Sequence, residues 1–308
     1  MDRHHHHHDN DNDHDHIHSH DHGGEGNIRL AFFLNLSFTI AEIIGGILTN
    51  SMAILSDALH DLGDSISLGM AWYFQRFSRK GPDAEYSFGY ARFSLLGALI
   101  NSGVLVAGSA LVLSQSIPRI FRPEEVHPEG MVLFALLGIL VNGAAVLRLR
   151  KGKSLNEKVV SWHLLEDVLG WIAVLIAGAV MLFADLPLLD PLLSVGITLF
   201  VLFNVFKNVR ELMRVLLQGV PRGVSVAVLE EAIGKVPHVS AVYHTHLWSL
   251  EGERNQLTTH ILVEDDAPAD QIIAIKENIR AIALELDIDH VTIEVDFSKE
   301  GPNRDFVD

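Results

Sequence analysis

Six apolar stretches recur in this 308-residue chain, at 28–48, 51–74, 93–117, 131–149, 159–183 and 191–209, and they limit its fold more than any other feature. Each is close to the ~20 residues an α-helix needs to cross ~30 Å of hydrocarbon. In lipid the backbone must satisfy its own hydrogen bonds, so the stretches imply a membrane bundle of six transmembrane helices. Their recurrence excludes a single signal peptide as the source of the hydropathy. Charged residues make up only 20% of the chain, against about a quarter in an ordinary soluble domain. The absence of Cys removes disulfides, thiolate metal sites and a cysteine nucleophile together. Thr49-Asn50-Ser51 alone joins the first two stretches, which predicts a tight antiparallel pair. The residues from Asp185-Leu186-Pro187 to Asp190-Pro191 form the turn between the last two.

The net charge of −16 sits at the two ends of the chain. Residues 1–25 carry −6 and residues 219–308 carry −10, while residues 26–218 are neutral. Two acidic polar segments therefore flank a membrane part (27–217), and no basic patch offers a nucleic acid a surface. Orientation follows from Lys and Arg near the span ends. Thirteen of them, from Arg76 to Arg92, Arg148 to Lys158 and Lys207 to Arg222, lie on one side, against Arg119 and Arg122 on the other. That bias puts both termini in the cytoplasm.

Residues 1–26 hold ten of the chain's eighteen His, interleaved with Asp and Asn. Such a segment cannot bury a core and reads as a disordered, metal-collecting tail. Residues 4–8 alone would match an affinity tag, but the continuation DHDHIHSHDH does not. Residues 218–298 read as a small α/β domain of order α-β-β-α-β, followed by a tail at 299–308. Helical spacing covers 224–236 and a helix opens at Pro268, with strands at 239–250, 257–263 and 290–297.

Ionisable groups inside lipid are costly, so each is a functional candidate. The second span contains His60-Asp61-Leu62-Gly63-Asp64 and the fifth contains His163-Leu164-Leu165-Glu166-Asp167. Both are His-x-x-x-Asp. Residues four apart share a helix face, so each pair offers one imidazole and one carboxylate to a common point. Two such helices supply four ligands, His60, Asp64, His163 and Asp167, a nitrogen and oxygen set that suits tetrahedral Zn²⁺. Calcium and magnesium prefer oxygen-only shells, Cu(I) prefers sulfur, and cobalt(II) fits the same cage. Gly63 and Gly170 stand beside the pairs, where they would let backbones approach. Asp57 lies near the outer end of the second span, and Asp61 is expected to face a water-filled vestibule. Glu42, Asn35, Asn101, Asn142, Glu166 and Asn204 read as interhelical hydrogen-bonding groups.

With these motifs, and with Phe88-Gly89-Tyr90 in the loop after the second span, the chain resembles the cation diffusion facilitator family over about residues 28–297. The resemblance implies a homodimeric transporter that exports Zn²⁺, or Co²⁺ or Cd²⁺, from the cytoplasm in exchange for H⁺. It implies His60, Asp64, His163 and Asp167 as the transport site, the two His favouring zinc, and a ferredoxin-like, metallochaperone-like cytoplasmic dimerisation domain. Two features depart from the family pattern. Tyr90 stands directly after Phe-Gly, and Tyr86 nearby, where members with a second loop metal carry His, so that site is not carried over, and Asp83 is left as a solvated acid. Gln218 stands where an acid would pair with a basic residue near Arg92.

In the soluble domain His246, His260 and Asp296 are a candidate regulatory metal site, with Glu294 on the same face of the last strand as Asp296 and His244 a weaker candidate. His127, His238 and His290 read as ordinary loop or strand-end residues. An intramembrane metalloprotease would need a motif such as His-Glu-x-x-His, which is absent, so no enzyme is expected and zinc is cargo rather than cofactor. A membrane-bound metal sensor or storage protein is the alternative, although it leaves a four-ligand cage at membrane depth unexplained. A bacterial inner membrane is the expected location.

Overall fold

The computed structural model describes residues 22–78, 80–149, 155–184 and 186–297. The expectations for residues 1–21 and 298–308 lie outside them. Among the described residues the chain forms six long helices, α1 (His22–Thr49), α2 (Met52–Ser78), α3 (Phe93–Phe121), α4 (Pro128–Leu149), α5 (Leu155–Phe183) and α6 (Leu189–Leu216). Five are long and apolar enough to cross a bilayer. The sixth, α2, spans 27 residues but carries Asp57, His60, Asp61 and Asp64. It is the inner helix of the bundle, packed against α1, α3 and α6 and touching α5, whereas α4 pairs with α5. Outward-facing side chains such as Leu140, Phe203 and Phe206 are two-thirds exposed, as lipid-facing residues must be.

Helix α1 begins at His22, before the first apolar stretch, and runs without a break to Thr49. The α1–α2 connection is as short as its sequence implies. Asn50 adopts φ 55°, a left-handed conformation that Asn tolerates, and Ser51 N–H closes onto Gly46 C=O at 3.0 Å. Small residues set the helix contacts. A Cβ on Gly138 of α4 would lie 2.3 Å from the ring of Trp171 in α5, and one on Gly108 of α3 would lie 2.2 Å from Leu59 in α2. Close backbone approach at such positions is how helices associate without a hydrophobic driving force.

The second part is an α/β domain of α7 (Val226–Gly234), β1 (Ala241–Ser249), β2 (Asn255–Val263), α8 (Ala269–Glu285) and β3 (Ile288–Phe297). Its sheet has the order β1-β2-β3, with β1 antiparallel and β3 parallel to β2. The order of elements along the chain, α-β-β-α-β, is that of the β-α-β-β-α-β ferredoxin-like motif without its first strand. Leu229, Ile233, Leu257, Ile261, Ile275 and Ile279 form its core.

Candidate metal centre

Helical spacing puts His60 and Asp64 on one face of α2, and α5 brings Asp167 to them. His60 Nε2 lies 3.9 Å from Asp64 Oδ2 and 4.0 Å from Asp167 Oδ1. Two ligands of one tetrahedral Zn²⁺ stand about 3.3 Å apart when each is ~2.0–2.1 Å from the ion. His60 therefore stands near one carboxylate on each of two helices, at separations wider than those of a closed shell. Among the described residues no group of three or more His, Asp or Glu side chains is placed to hold a metal ion. His163 lies in α5, one turn before Asp167, and its side chain is outside the described residues.

Exposure changes along α2. The first half of α2 is sealed, with Met52, Ala53, Ile54, Ser56, Asp57 and Ala58 all buried, whereas the side chains of His60 and Asp64 are 24% and 31% exposed. The sealed end is bolted by Asp190 of α6. Its carboxylate accepts from Ser51 Oγ at 2.5 Å, Met52 N–H at 2.7 Å and Ala53 N–H at 3.2 Å, capping α2. Arg119 of α3 closes the same end through Asn50, donating to its carbonyl and side-chain oxygens at 3.0 Å each. The sequence marked Asp190 only as a turn residue; its role depends on which helix end it meets.

Other membrane polar groups depart from expectation. Asn35 does bridge helices, donating to Asp61 C=O and Ser65 Oγ at 3.0 Å, and Asn101 donates to Ser67 Oγ at 2.7 Å. Asp61, expected in a vestibule, is buried instead in the packing against α1. Glu42, expected to be hydrogen-bonded, is buried with neither carboxyl oxygen meeting a donor. Gly63 faces α3 rather than α5, and a Cβ there would lie 2.6 Å from the Leu105 side chain. Gly170 does face α2, where its Cβ would stand 3.4 Å from Asp57 Oδ1.

The loop between α2 and α3 is more ordered than a solvated acid would make it. Asp83 accepts from Lys80 Nζ and Tyr90 Oη at 2.8 Å each and from the Glu85 and Tyr86 N–H groups at 3.0 and 2.9 Å. The Lys80 ammonium, with the Tyr86 N–H and Tyr90 hydroxyl, holds the Asp83 carboxyl well below the usual carboxylate range. The loop rests on the α/β domain: Arg92 Nε donates to Leu250 C=O at 2.9 Å, and the Phe88 ring meets the edge of His290, centroids 6.3 Å apart. Both His290 and Arg92 thus have partners that their sequence neighbours do not indicate.

In the α/β domain His260 Nδ1 is 2.9 Å from Asp296 Oδ2, and the Tyr243 hydroxyl donates to the same oxygen. His246 Nε2 is 3.2 Å from His244 Nε2, and the His244 and His260 rings are 5.2 Å apart. His244 thus links His246 to the His260–Asp296 pair. It does so because the β1–β2 register shifts between Tyr243 and His246, where His244 takes φ 50°. A bulge re-aims a side chain in this way. Glu294 pairs with His260 in register but is exposed. Partial burial pushes Asp296 up, and the Tyr243 and His260 hydrogen bonds outweigh it, leaving the carboxyl below its ordinary range.

Residues 28–217 match the cation efflux transmembrane domain. The chain belongs to the cation efflux family, the cation diffusion facilitators. This cation efflux protein is 31% identical over 281 residues to the zinc transporter ZitB of Pectobacterium atrosepticum, covering 90% of the chain and 87% of the relative. It is 32% identical over 278 residues to the metal cation efflux system protein CzcD of Cupriavidus metallidurans, covering 90% and 88%. It is also 31% identical over 284 residues to the cadmium, cobalt and zinc/H(+)-K(+) antiporter of Bacillus subtilis, covering 90% and 89%. It is a multi-pass membrane transporter whose substrates are metal cations.

Proposed function

We propose that this transporter moves Zn²⁺, with Co²⁺ or Cd²⁺ as further substrates, out of the cytoplasm in exchange for H⁺. The observation that carries the reading is His60 Nε2 standing within 4.0 Å of carboxylates from two helices, Asp64 on α2 and Asp167 on α5. His163, one turn from Asp167, supplies the fourth ligand. Binding needs neutral imidazoles and ionised carboxylates, so an arriving metal displaces protons, and protons returning to the same groups expel it. The four ligands are then both the binding site and part of the coupling device.

Alternating access requires that the site open to one side at a time. The sealed Asp190 end and the open His60–Asp64 end fit a state facing the loop between α2 and α3. The bias of Lys and Arg makes that side cytoplasmic, with both chain ends inside, in what we read as a bacterial inner membrane. Zinc and protons must then differ in affinity for the two states to drive the cycle.

The α/β domain is the cytoplasmic, dimer-forming unit. His246, His260 and Asp296, joined by His244, form a regulatory zinc site that couples metal supply to transport. The test is zinc flux into proteoliposomes under an imposed pH gradient. His163→Ala and Asp64→Ala abolish flux; vesicles that move zinc equally well with either variant overturn the reading.

A further inference from the structure

Helix α6 presents two unlike faces along its length. Ser194, Thr198, Val201, Val205 and Leu212 are buried, where α6 packs against α3, α2 and α5. On the opposite side Leu192, Leu199, Phe203 and Phe206 are exposed, the face that meets lipid chains. Beyond Phe206 the same outward face turns basic. Lys207, Arg210 and Arg214 follow at i, i+3 and i+7, which 3.6 residues per turn place within about 60° of one another, and all three are exposed.

Depth puts this stripe at the membrane surface. At ~1.5 Å per residue, Lys207 lies ~27 Å and Arg210 ~32 Å from Leu189, the first residue of α6. The hydrocarbon is ~30 Å thick, and the headgroups extend the bilayer to ~40–45 Å. The cations therefore begin where the acyl chains end.

Acids balance most other cations of the described residues. Lys80, Arg119, Lys235 and Arg254 each pair with a carboxylate. Between Phe206 and Leu216 the only acid is Glu211, and Arg222 takes it. Lys207, Arg210 and Arg214 make no ion pair or side-chain hydrogen bond with any described residue. Three such cations on one helix face stand out in a chain of net charge −16.

We propose that Lys207, Arg210 and Arg214 form a binding site for the headgroup of an anionic phospholipid. The two guanidinium groups and the ammonium hold its phosphate diester, and its acyl chains run along Leu199, Phe203 and Phe206. Arg suits phosphate through its planar fork of donors, and Lys207 reaches the same layer by extending its head from the hydrocarbon border. The basic stripe continues the lipid-facing stripe, which selects a lipid over free phosphate, since free phosphate has no chains to lay against that face. A second copy of the chain is disfavoured, because a symmetric contact through this face sets cations against cations. A bound lipid fixes the end of α6 at the membrane surface, beside the segment that leads into α7.

The test is native mass spectrometry of the full chain released from detergent, after equilibration with phosphatidylglycerol or phosphatidylcholine of identical acyl chains. The parent is expected to retain phosphatidylglycerol on the order of 10-fold more strongly, with a preference that shrinks as salt is raised. Phosphatidylglycerol, but not inorganic phosphate, should raise its thermal midpoint. Lys207→Gln/Arg210→Gln/Arg214→Gln loses both the preference and the thermal rise, whereas Arg280→Gln, which removes an exposed cation of α8, keeps them. Equal retention of the two lipids by the parent, or an undiminished preference in the triple variant, overturns the proposal. So does inorganic phosphate that stabilises the parent as well as the lipid does, or a triple variant that loses a dimer the parent keeps in lipid-free detergent. Should the triple variant fail to fold, Arg210→Gln and Arg214→Gln singly are each expected to weaken phosphatidylglycerol retention a few-fold, and retention equal to the parent's in both overturns the proposal.

Discussion

A buried carboxylate is tolerable when donors surround it, and Asp190 shows the favourable case. It has three donors from the start of α2 at a helix N-terminus, where negative charge is favoured. Asp190→Ala strips that cap and leaves the Met52 and Ala53 N–H groups buried without partners. The expected cost is about 1–3 kcal/mol, read as a lower thermal midpoint in detergent. Asp296 is a second anchored carboxyl, in water rather than lipid. Its depressed folded-state pKa means that its contribution to stability is present above the ordinary Asp value of about 3.9 and is lost as pH falls through the folded value. The protection of β3 amides from exchange, relative to the intrinsic rate at each pH, should therefore fall below about pH 4. In Asp296→Asn that protection should already be lower at neutral pH and change little on acidification.

Helices of this bundle meet through particular glycines. At Gly138 the Trp171 ring occupies the place of a side chain, so Gly138→Ala must push α4 from α5, at a cost of about 1–3 kcal/mol. A Cβ on Gly103 of α3 meets nothing within 4 Å, and Gly103→Ala should be neutral or stabilising by up to about 1 kcal/mol. Thermal midpoints of the two variants check the contrast. Hydropathy, a local property, gave the spans, their order and the short α1–α2 turn directly. The His-x-x-x-Asp spacing likewise put each pair on one face, because helix geometry alone decides it. What lay beyond the sequence was which helix each face would meet. Gly63 serves α3, Glu42 meets no donor among the described residues, and Asp61 is buried against α1 because α2 is wrapped on several sides. His244 needed a bulge, which no residue type around it signals, and Asp83 needed Lys80 and Tyr90 folded back onto it.

The two halves of the molecule share a mechanical joint. Helix α2, which carries His60 and Asp64, continues towards the 80–92 loop, whose Phe88 and Arg92 rest on His290 and Leu250 of the α/β domain. The loop is stiffened from within by the Lys80–Asp83–Tyr90 contacts. A movement of α2 between inward and outward states must then either carry the α/β domain with it or break these contacts. The absence of Cys makes the choice testable, because Phe88→Cys with His290→Cys introduces the only two thiols in the chain. A short bifunctional thiol reagent would tie the loop to the domain without touching the metal ligands. If the joint opens in each cycle, the tied protein still binds zinc but stops transporting it, and a cleavable reagent returns flux when it is cut. If the joint moves as one body, the tied protein transports at the rate of the untied double variant. The first outcome is expected, since Arg92 holds the domain by one backbone carbonyl and Phe88 by one ring edge, contacts weak enough to break and re-form at every turnover.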